Sequence, residues 1–319
     1  MVEYNAFETE EVPRIAGVQN VTALVCTRNR GSSIVETIKS ILANTHPCFE
    51  LVVVDQSTDE TTAEAIAPFQ ADPRVRYIRS NTTGKSRSLN LGIRAARSKI
   101  VMVTDDDCVV PPDWLEKMSA VFEEYPRAIV AFCNVTAPPH DFLAGTIPVY
   151  VRSDTKLLEN IRDQCAANGI GAGSALRRDP VLAIGGFDEK LGPGGTFASG
   201  EDFDLSARAL LMGYSVLETD RVAVVHYGFR NYVEFRDLTR RDWIGIGAGA
   251  SKILKGGRWD FLIVPMHRVL VMAVGWPLRD LLRFKRPHGL GRVGWFLYGF
   301  ILGWRTAIDK ETLCFRTAE

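Results

Sequence analysis

Residues 100–107 read Ile-Val-Met-Val-Thr-Asp-Asp-Asp, an apolar run with β-branched residues that ends in three carboxylates. Such a run predicts a buried strand. In an open α/β sheet, ligands gather in the crevice beyond the carboxyl ends of the strands, so Asp105, Asp106 and Asp107 would face that crevice. Three acids so close repel one another unless a cation or a hydroxyl-rich ligand lies among them. Their hard oxygens suit Mg²⁺ or Mn²⁺, with phosphate oxygens completing the coordination. The alternative is an acidic turn before Pro111-Pro112, one carboxylate capping the next helix.

The rest of the N-terminal half repeats a strand–helix rhythm. Residues 21–26, 51–54 and 75–78 are short apolar runs, the first two ending in polar clusters at 27–31 and 55–59. Between them, Ser33 with Glu36 and Ser57 with Glu60 have the spacing of capping boxes, and Ile34, Ile38, Ile41 and Leu42 share one helical face. Gly84-Lys85-Ser86-Arg87 opens a third helix. The pattern predicts a three-layer α/β/α domain on a mostly parallel sheet. No glycine-rich turn follows the first strand and no P-loop is present, so side chains and a metal would have to hold any nucleotide.

Beyond Asp107, Asp113 would cap a helix carrying Trp114, Met118, Val121 and Phe122, and residues 128–135 read as a strand. A small-residue loop over 168–174 and a flexible run over 192–200 follow. The second delivers Glu201-Asp202 to the start of a helix whose Phe203, Ala207, Leu210 and Leu211 share a face, with Gly213 ending it. Residues 222–225 form another strand, with His226 at its end.

The 319 residues, 46% of them hydrophobic, suffice for a substantial core, and zero net charge gives no general pull toward nucleic acid. Six scattered cysteines have neither metal-ligand nor disulfide-framework spacing, which points to a reducing, cytoplasmic compartment. The polar start, with Glu3, Glu8, Glu10 and Glu11, lacks the pattern of a signal peptide.

Taken in order and spacing, the clusters at 27–30, 54–57, 84–92, 105–107, 185–188, 200–205 and His226 resemble a family 2 glycosyltransferase of the GT-A nucleotide-diphospho-sugar transferase fold. The resemblance implies a catalytic domain over 18–230 and a C-terminal helical region over 231–319. It implies a UDP- or TDP-type sugar donor: Thr27, Arg28 and Asn29 lining the nucleoside pocket, Asp55 accepting from the base, Lys85 and Arg87 near the diphosphate. Asp105 and Asp106 would contact ribose or sugar, Asp107 would bind Mg²⁺ or Mn²⁺, and His226 would sit near metal or diphosphate. Asp202 would be the catalytic base, with Glu201 orienting the acceptor. Leu89 stands where relatives often carry an arginine. Base on one face and metal on the other imply inversion at the anomeric carbon, and a helix N-terminus would favour charged Asp202.

The acceptor would be a hydroxyl of a lipid-linked saccharide or envelope glycan, or else a polyprenyl phosphate. Taken without the rest of the pattern, the acids at 201–202 read more readily as first-turn complements to a helix dipole than as catalytic groups. A sugar nucleotidyltransferase would carry a glycine- and arginine-rich loop after its first strand, absent here. A non-catalytic nucleotide-sugar-binding protein is a further reading.

After about residue 231 the rhythm ends. Apolar segments at 261–276 and 293–304 each fall short of the roughly 18–20 uncharged residues of a membrane span, the first interrupted by Pro265 and Arg268. Seven cations face one acid across 261–305. Helices lying in an anionic membrane interface, on the inner face of the cell membrane, would explain this. A helical cap on the catalytic domain or a homo-oligomer interface would use the same surfaces.

Overall fold

The computed structural model describes residues 18–317 except Asn168 and His288. The polar periphery expected over 1–17, and Asn168 of the small-residue loop, lie outside the described residues. In chain order the elements are β1 (Val21–Thr27), α1 (Val35–Leu42), β2 (Phe49–Asp55), α2 (Thr61–Ile66), β3 (Val75–Arg79), α3 (Lys85–Ala95), β4 (Ile100–Asp105) and β5 (Cys108–Val109). There follow α4 (Trp114–Glu124), β6 (Ala128–Thr136), β7 (Gly145–Thr146), β8 (Lys156–Leu158), β9 (Ser174–Arg177), α5 (Arg178–Ala183), α6 (Glu201–Leu211), β10 (Ser215–His226), β11 (Arg230–Asn231) and α7 (Tyr232–Lys255).

Among the described residues, nine strands form one mixed sheet in the order β3-β2-β1-β4-β9-β6-β10-β5, with β8 also on β10. The first four are mutually parallel, and β9 runs antiparallel between β4 and β6. Period-two alternation explains the layers. Val21, Ala23, Val25, Leu51, Val53, Ile100 and Met102 pack with Ile34, Ile38 and Ile41 of the α1 side and Trp114, Met118 and Phe122 of α4. Leu24, Val52, Val54, Val101 and Val103 pack on the other face with Leu89 and Ile93 of α3, Leu205 and Leu210 of α6, and Ile253 of α7.

Several local expectations change. The Ser33–Glu36 box does not form, because 31–34 is a 3₁₀ turn and α1 starts at Val35 without a side-chain cap. Ser57 instead accepts the Asn29 N–H at 2.7 Å, while Asp59 caps the Thr61 N–H at 3.0 Å. Asp113 makes no cap bond and pairs with Lys117 at 2.7 Å. Ser174, read as the end of a loop, instead opens a strand over residues 174–177, which had no reading of their own and form a strand because a neighbour flanks each side. The strand read at 222–225 begins at Ser215: buried Glu218 hid it, its charge held by the Tyr150 hydroxyl and Arg152. The run at 192–200 is anchored rather than loose, since Leu191 and Phe197 are buried, Phe197 lies 4.9 Å from the Phe315 ring, and Lys85 N–H donates to the Pro193 carbonyl.

The C-terminal region is helical. Residues 259–282 form one continuous helix: a 3₁₀ turn, α8 (Ile263–Arg268), a π turn over Val269–Gly275, and α9 (Trp276–Leu282). The helix is 24 residues long, with mean hydropathy 1.6 over its most apolar 18-residue window, long and apolar enough by length and composition to cross a membrane; the apolar segment read over 261–276 is part of this longer helix, which still carries Arg268 within it. Arg268 does not break it, because the guanidinium turns inward to the Ala167 carbonyl at 2.7 Å and stacks over Phe203 at 4.4 Å. Pro277 follows the widened π turn, which relieves the clash a proline makes with a preceding carbonyl. The last helix, α10 (Arg292–Arg305), lies against α7 so closely that a Cβ on Gly299 would fall 2.0 Å from the Ile244 carbonyl oxygen.

Candidate active site

Register places the polar strand ends side by side. Thr27 of β1 pairs with Asp55 of β2, and Cys26 pairs with Asp105 of β4. Above these ends lies a cavity of about 390 Å³ lined by Thr27, Arg28, Arg30, Gln56, Lys85 and Asp105, Asp106 and Asp107. A second, of about 310 Å³, is lined by Gly171, Asp202, Phe203, Gln164, Phe132 and Arg268. The two share Lys85, Asp105, Ser199, Glu201, His226, Arg230 and Leu238. The acids near 106 and the pair at 201–202, almost a hundred positions apart in sequence, therefore border one joined space.

Electrostatics within it are strongly coupled. Lys85 Nζ lies 2.6 Å from Asp105 Oδ1; burial works against its charge, but Asp105, Glu201 and Asp202 hold the ammonium well above its ordinary range. Burial pushes Asp106 up to about 6, against the pull of Arg30, whose Nε lies 3.1 Å away. Asp107 goes the other way: burial is outweighed by the close contact with the His226 ring and by the His226 and Arg30 charges, which bring its carboxyl below the usual range. His226 is raised in turn, Asp107 overcoming the cost of burial.

At the start of α6, burial and then the charge of Asp202 push Glu201 up to about 8, against Lys85. Asp202 is raised as well, by burial and Asp105, against Lys85 and the Gly171 N–H that donates to Oδ2 at 2.8 Å. The expectation that the helix N-terminus favours the charged form of Asp202 thus gives way to burial. A Cβ on Gly171 would sit 2.7 Å from both Asp202 oxygens, so glycine lets that loop grip the carboxylate.

Other residues singled out in the sequence lie elsewhere. Asp55 is fully buried beneath the cavity, Oδ1 accepting the Ser57 N–H at 2.8 Å and Oδ2 accepting from the Tyr77 hydroxyl at 2.7 Å and Arg79 at 3.3 Å. Asn29, at φ +55°, holds the turn by accepting the Thr58 N–H at 2.9 Å. Arg87 points to Glu189 at 3.2 Å. Neither Asn29, Asp55 nor Arg87 lines either cavity. Arg30, Gln56, Arg230 and Arg268 do, and the sequence placed none of them at the site; Arg30 and Gln56 stood inside clusters singled out there, and Arg268 was counted among the cations of the C-terminal region.

Ligating atoms of Asp107, His226 and Cys108 lie within 4.8 Å of one another. Asp107 Oδ1 is buried and, among the described residues, makes no regular hydrogen bond, only an ion-pair contact with His226 Nε2 at 3.2 Å. Gly228 leaves room beside both: a Cβ there would fall 2.6 Å from His226 Nε2 and 3.1 Å from Asp107 Oδ2. Carboxylate and imidazole in an open niche fit Mg²⁺ or Mn²⁺. Cys108 does not, since burial pushes its thiol pKa far up and sulfur is a soft ligand.

A family model described as glycosyl transferase family 2 matches residues 22–185, just over half of the chain. A glucosyl-dolichyl phosphate glucuronosyltransferase from Haloferax volcanii is 28% identical over 183 residues, 54% of this chain and 57% of that protein. The chain thus spans little more than half the length of that relative. Among solved structures, the mannosyltransferase PcManGT from Pyrobaculum calidifontis, in complex with GDP-Man and Mn²⁺, is 19% identical over 91% of this chain and 86% of its own, with a TM-score of 0.57. S. aureus TarS 1-349 in complex with UDP-GlcNAc is 16% identical over 88% and 82%, with a TM-score of 0.54. Both likenesses are of fold.

Proposed function

The chain belongs to glycosyl transferase family 2, and on that premise we propose that it moves a sugar from a nucleotide-sugar donor to a hydroxyl acceptor with inversion at the anomeric carbon. The observation that carries this reading is the joined space bordered by Asp105, Asp106 and Asp107 on one side and Glu201 and Asp202 on the other. The nucleoside end of a UDP- or TDP-type donor occupies the cavity beside Thr27, Arg28 and Gln56, and Lys85 meets its diphosphate. Asp107 and His226 would hold Mg²⁺ or Mn²⁺, which would supply Lewis acidity to the diphosphate. Asp202 takes the acceptor's proton, and its raised pKa makes it a stronger base at neutral pH than an ordinary carboxylate. Glu201, carrying a proton through most of the neutral range, can donate a hydrogen bond to an acceptor or sugar oxygen.

The test is nucleoside diphosphate release from a panel of UDP-, TDP- and GDP-sugars with Mn²⁺ or Mg²⁺; release of pyrophosphate, or no release from any donor, would sink the reading. Asp107→Ala should abolish metal-dependent UDP binding in calorimetry. Unchanged affinity in the presence of Mn²⁺ would remove Asp107 as a ligand.

The acceptor is proposed to be lipid-linked, at the cytoplasmic face of a membrane. Support comes from the helix over 259–282, whose Met266, Leu270, Val274, Leu278 and Leu281 form an exposed apolar strip, and from exposed Arg279, Arg283, Lys285 and Arg286 at its end. Each such cation is worth about 1 kcal/mol at an anionic surface. The protein should co-sediment with phosphatidylglycerol vesicles and much less with phosphatidylcholine vesicles. Reversing those four charges should remove the difference; equal recovery with both lipids would refute an electrostatic component.

A further inference from the structure

Lys85 and Arg230 are the two cations that, among the described residues, line both cavities. Lys85 is committed to Asp105 at 2.6 Å. Of the other basic groups on the donor side, Arg30 is engaged with Asp106 and Asp107 and Arg241 with Asp237 at 3.0 Å, while exposed Arg28 lines the donor cavity alone and does not reach the second. Arg230 is half-buried and donates from Nη1 to its neighbour's carbonyl, Gly228 O, at 3.3 Å, with no carboxylate in ion-pair range among the described residues. Its guanidinium has donors to spare, in a fork that matches phosphate oxygens.

The backbone beneath it is held from three directions. Arg230 and Asn231 of β11 pair with Thr146 and Gly145 of β7. Gly145 approaches so closely that a Cβ there would lie 2.1 Å from the Arg230 carbonyl oxygen. Asn231 then caps α7, accepting the N–H groups of Val233 and Glu234 at 3.0 Å each. Four residues upstream, His226 ends β10. A cation on so fixed a support needs little reorganisation when charge develops beside it.

We propose that Arg230 is a catalytic residue that hydrogen-bonds the departing diphosphate at the seam between the cavities. The inference rests on the glycosyl-transfer reading given above. The acceptor oxygen bonds to the anomeric carbon as its proton passes to Asp202. The bond from that carbon to the β-phosphate oxygen breaks, and the electron pair leaves on that oxygen, where Arg230 donates. Sugar and nucleoside diphosphate account for every atom, and no further reactant is consumed.

The experiment compares wild type, Arg230→Lys and Arg230→Met in the intact chain, using Mn²⁺ and the donor that wild type turns over. Arg230→Met should lower kcat by on the order of 10²-fold, as loss of one fixed charge-stabilising donor does. Its affinity for UDP or GDP with Mn²⁺ should fall about tenfold, in line with a lost hydrogen bond to a charged group. Arg230→Lys should recover part of kcat, and added guanidinium ion should speed Arg230→Met but not wild type. Equal melting temperatures establish that the variants are folded; if the methionine variant is not, the lysine variant's kcat and nucleotide affinity decide. A folded variant with wild-type kcat, or no response to guanidinium, overturns the assignment. A wild-type protein that releases no nucleoside diphosphate from any donor overturns the transfer reading and this inference with it.

Discussion

Asp202→Asn should bind donor as wild type does and lose about 10²–10⁴-fold in turnover with a hydroxyl acceptor, the contribution of a positioned general base. The amide keeps the geometry, since its carbonyl oxygen can still accept the Gly171 N–H that meets Oδ2 at 2.8 Å. What it removes is the site for the acceptor's proton. Donor affinity measured beside steady-state rates separates the two effects, and near-normal turnover would strip Asp202 of the role. If the acceptor is a phosphate, already ionised, the loss should be far smaller, so one variant distinguishes the two acceptor chemistries.

The pH dependence follows with a definite sign. Asp202 must be unprotonated to act, and its raised pKa moves the acid limb of kcat/KM above the ordinary carboxylate range. Glu201 behaves oppositely in the ligand-free protein. With a folded pKa of about 8 against an ordinary 4.5, the native state holds a proton there that the unfolded chain has released. Its contribution to stability therefore declines as pH rises between those values, with the full cost present above pH 8.

Lys252→Met should be the most destabilising single change in the C-terminal region. Lys252 is fully buried on α7, with Nζ contacting Asp188 and lying 2.8 Å from Asp204. Burial opposes its charge, yet those two carboxylates hold the ammonium above its ordinary pKa. Asp204 also binds Arg208 at 2.8 Å, and Asp188 accepts the Phe315 N–H at 2.8 Å. Methionine fills similar space but leaves two buried acids facing one remaining cation. Removing one member of such a set costs about 3–5 kcal/mol. In a chain of this size that is roughly a 4–7 °C fall in melting temperature. An unchanged melting temperature would show that the cluster is not held together by charge.

The layers of the sheet were legible because their cause is local: fully buried apolar runs such as 21–25 alternate with helical stretches, and in β1 Val21, Ala23 and Val25 pack into one core while Leu24 packs into the other. The acids at 105–107 and 201–202 were legible as clusters at element ends. Their meeting was an expectation that only three-dimensional placement could address. Strand β9 was illegible, since four residues beginning with a serine carry no periodicity and become a strand only between two partners. Arg230 and Arg268 were missed for a related reason. An isolated arginine has no sequence signal, and each reaches the cavity through elements, β11 and α8, whose placement is decided by distant contacts.

The close approach of α7 to the loop before α6 bears on how such enzymes can diversify. A Cβ on Gly245 would fall 2.2 Å from the Ser199 carbonyl oxygen, one residue away from the turn that launches Glu201 and Asp202. A hybrid joined at residue 230 from two family members would need matched surfaces here and around Lys252, or the proton-accepting carboxylate would shift with its foreign neighbour. New acceptors are therefore reached more economically by exchanging single residues on the cavity wall than by shuffling modules.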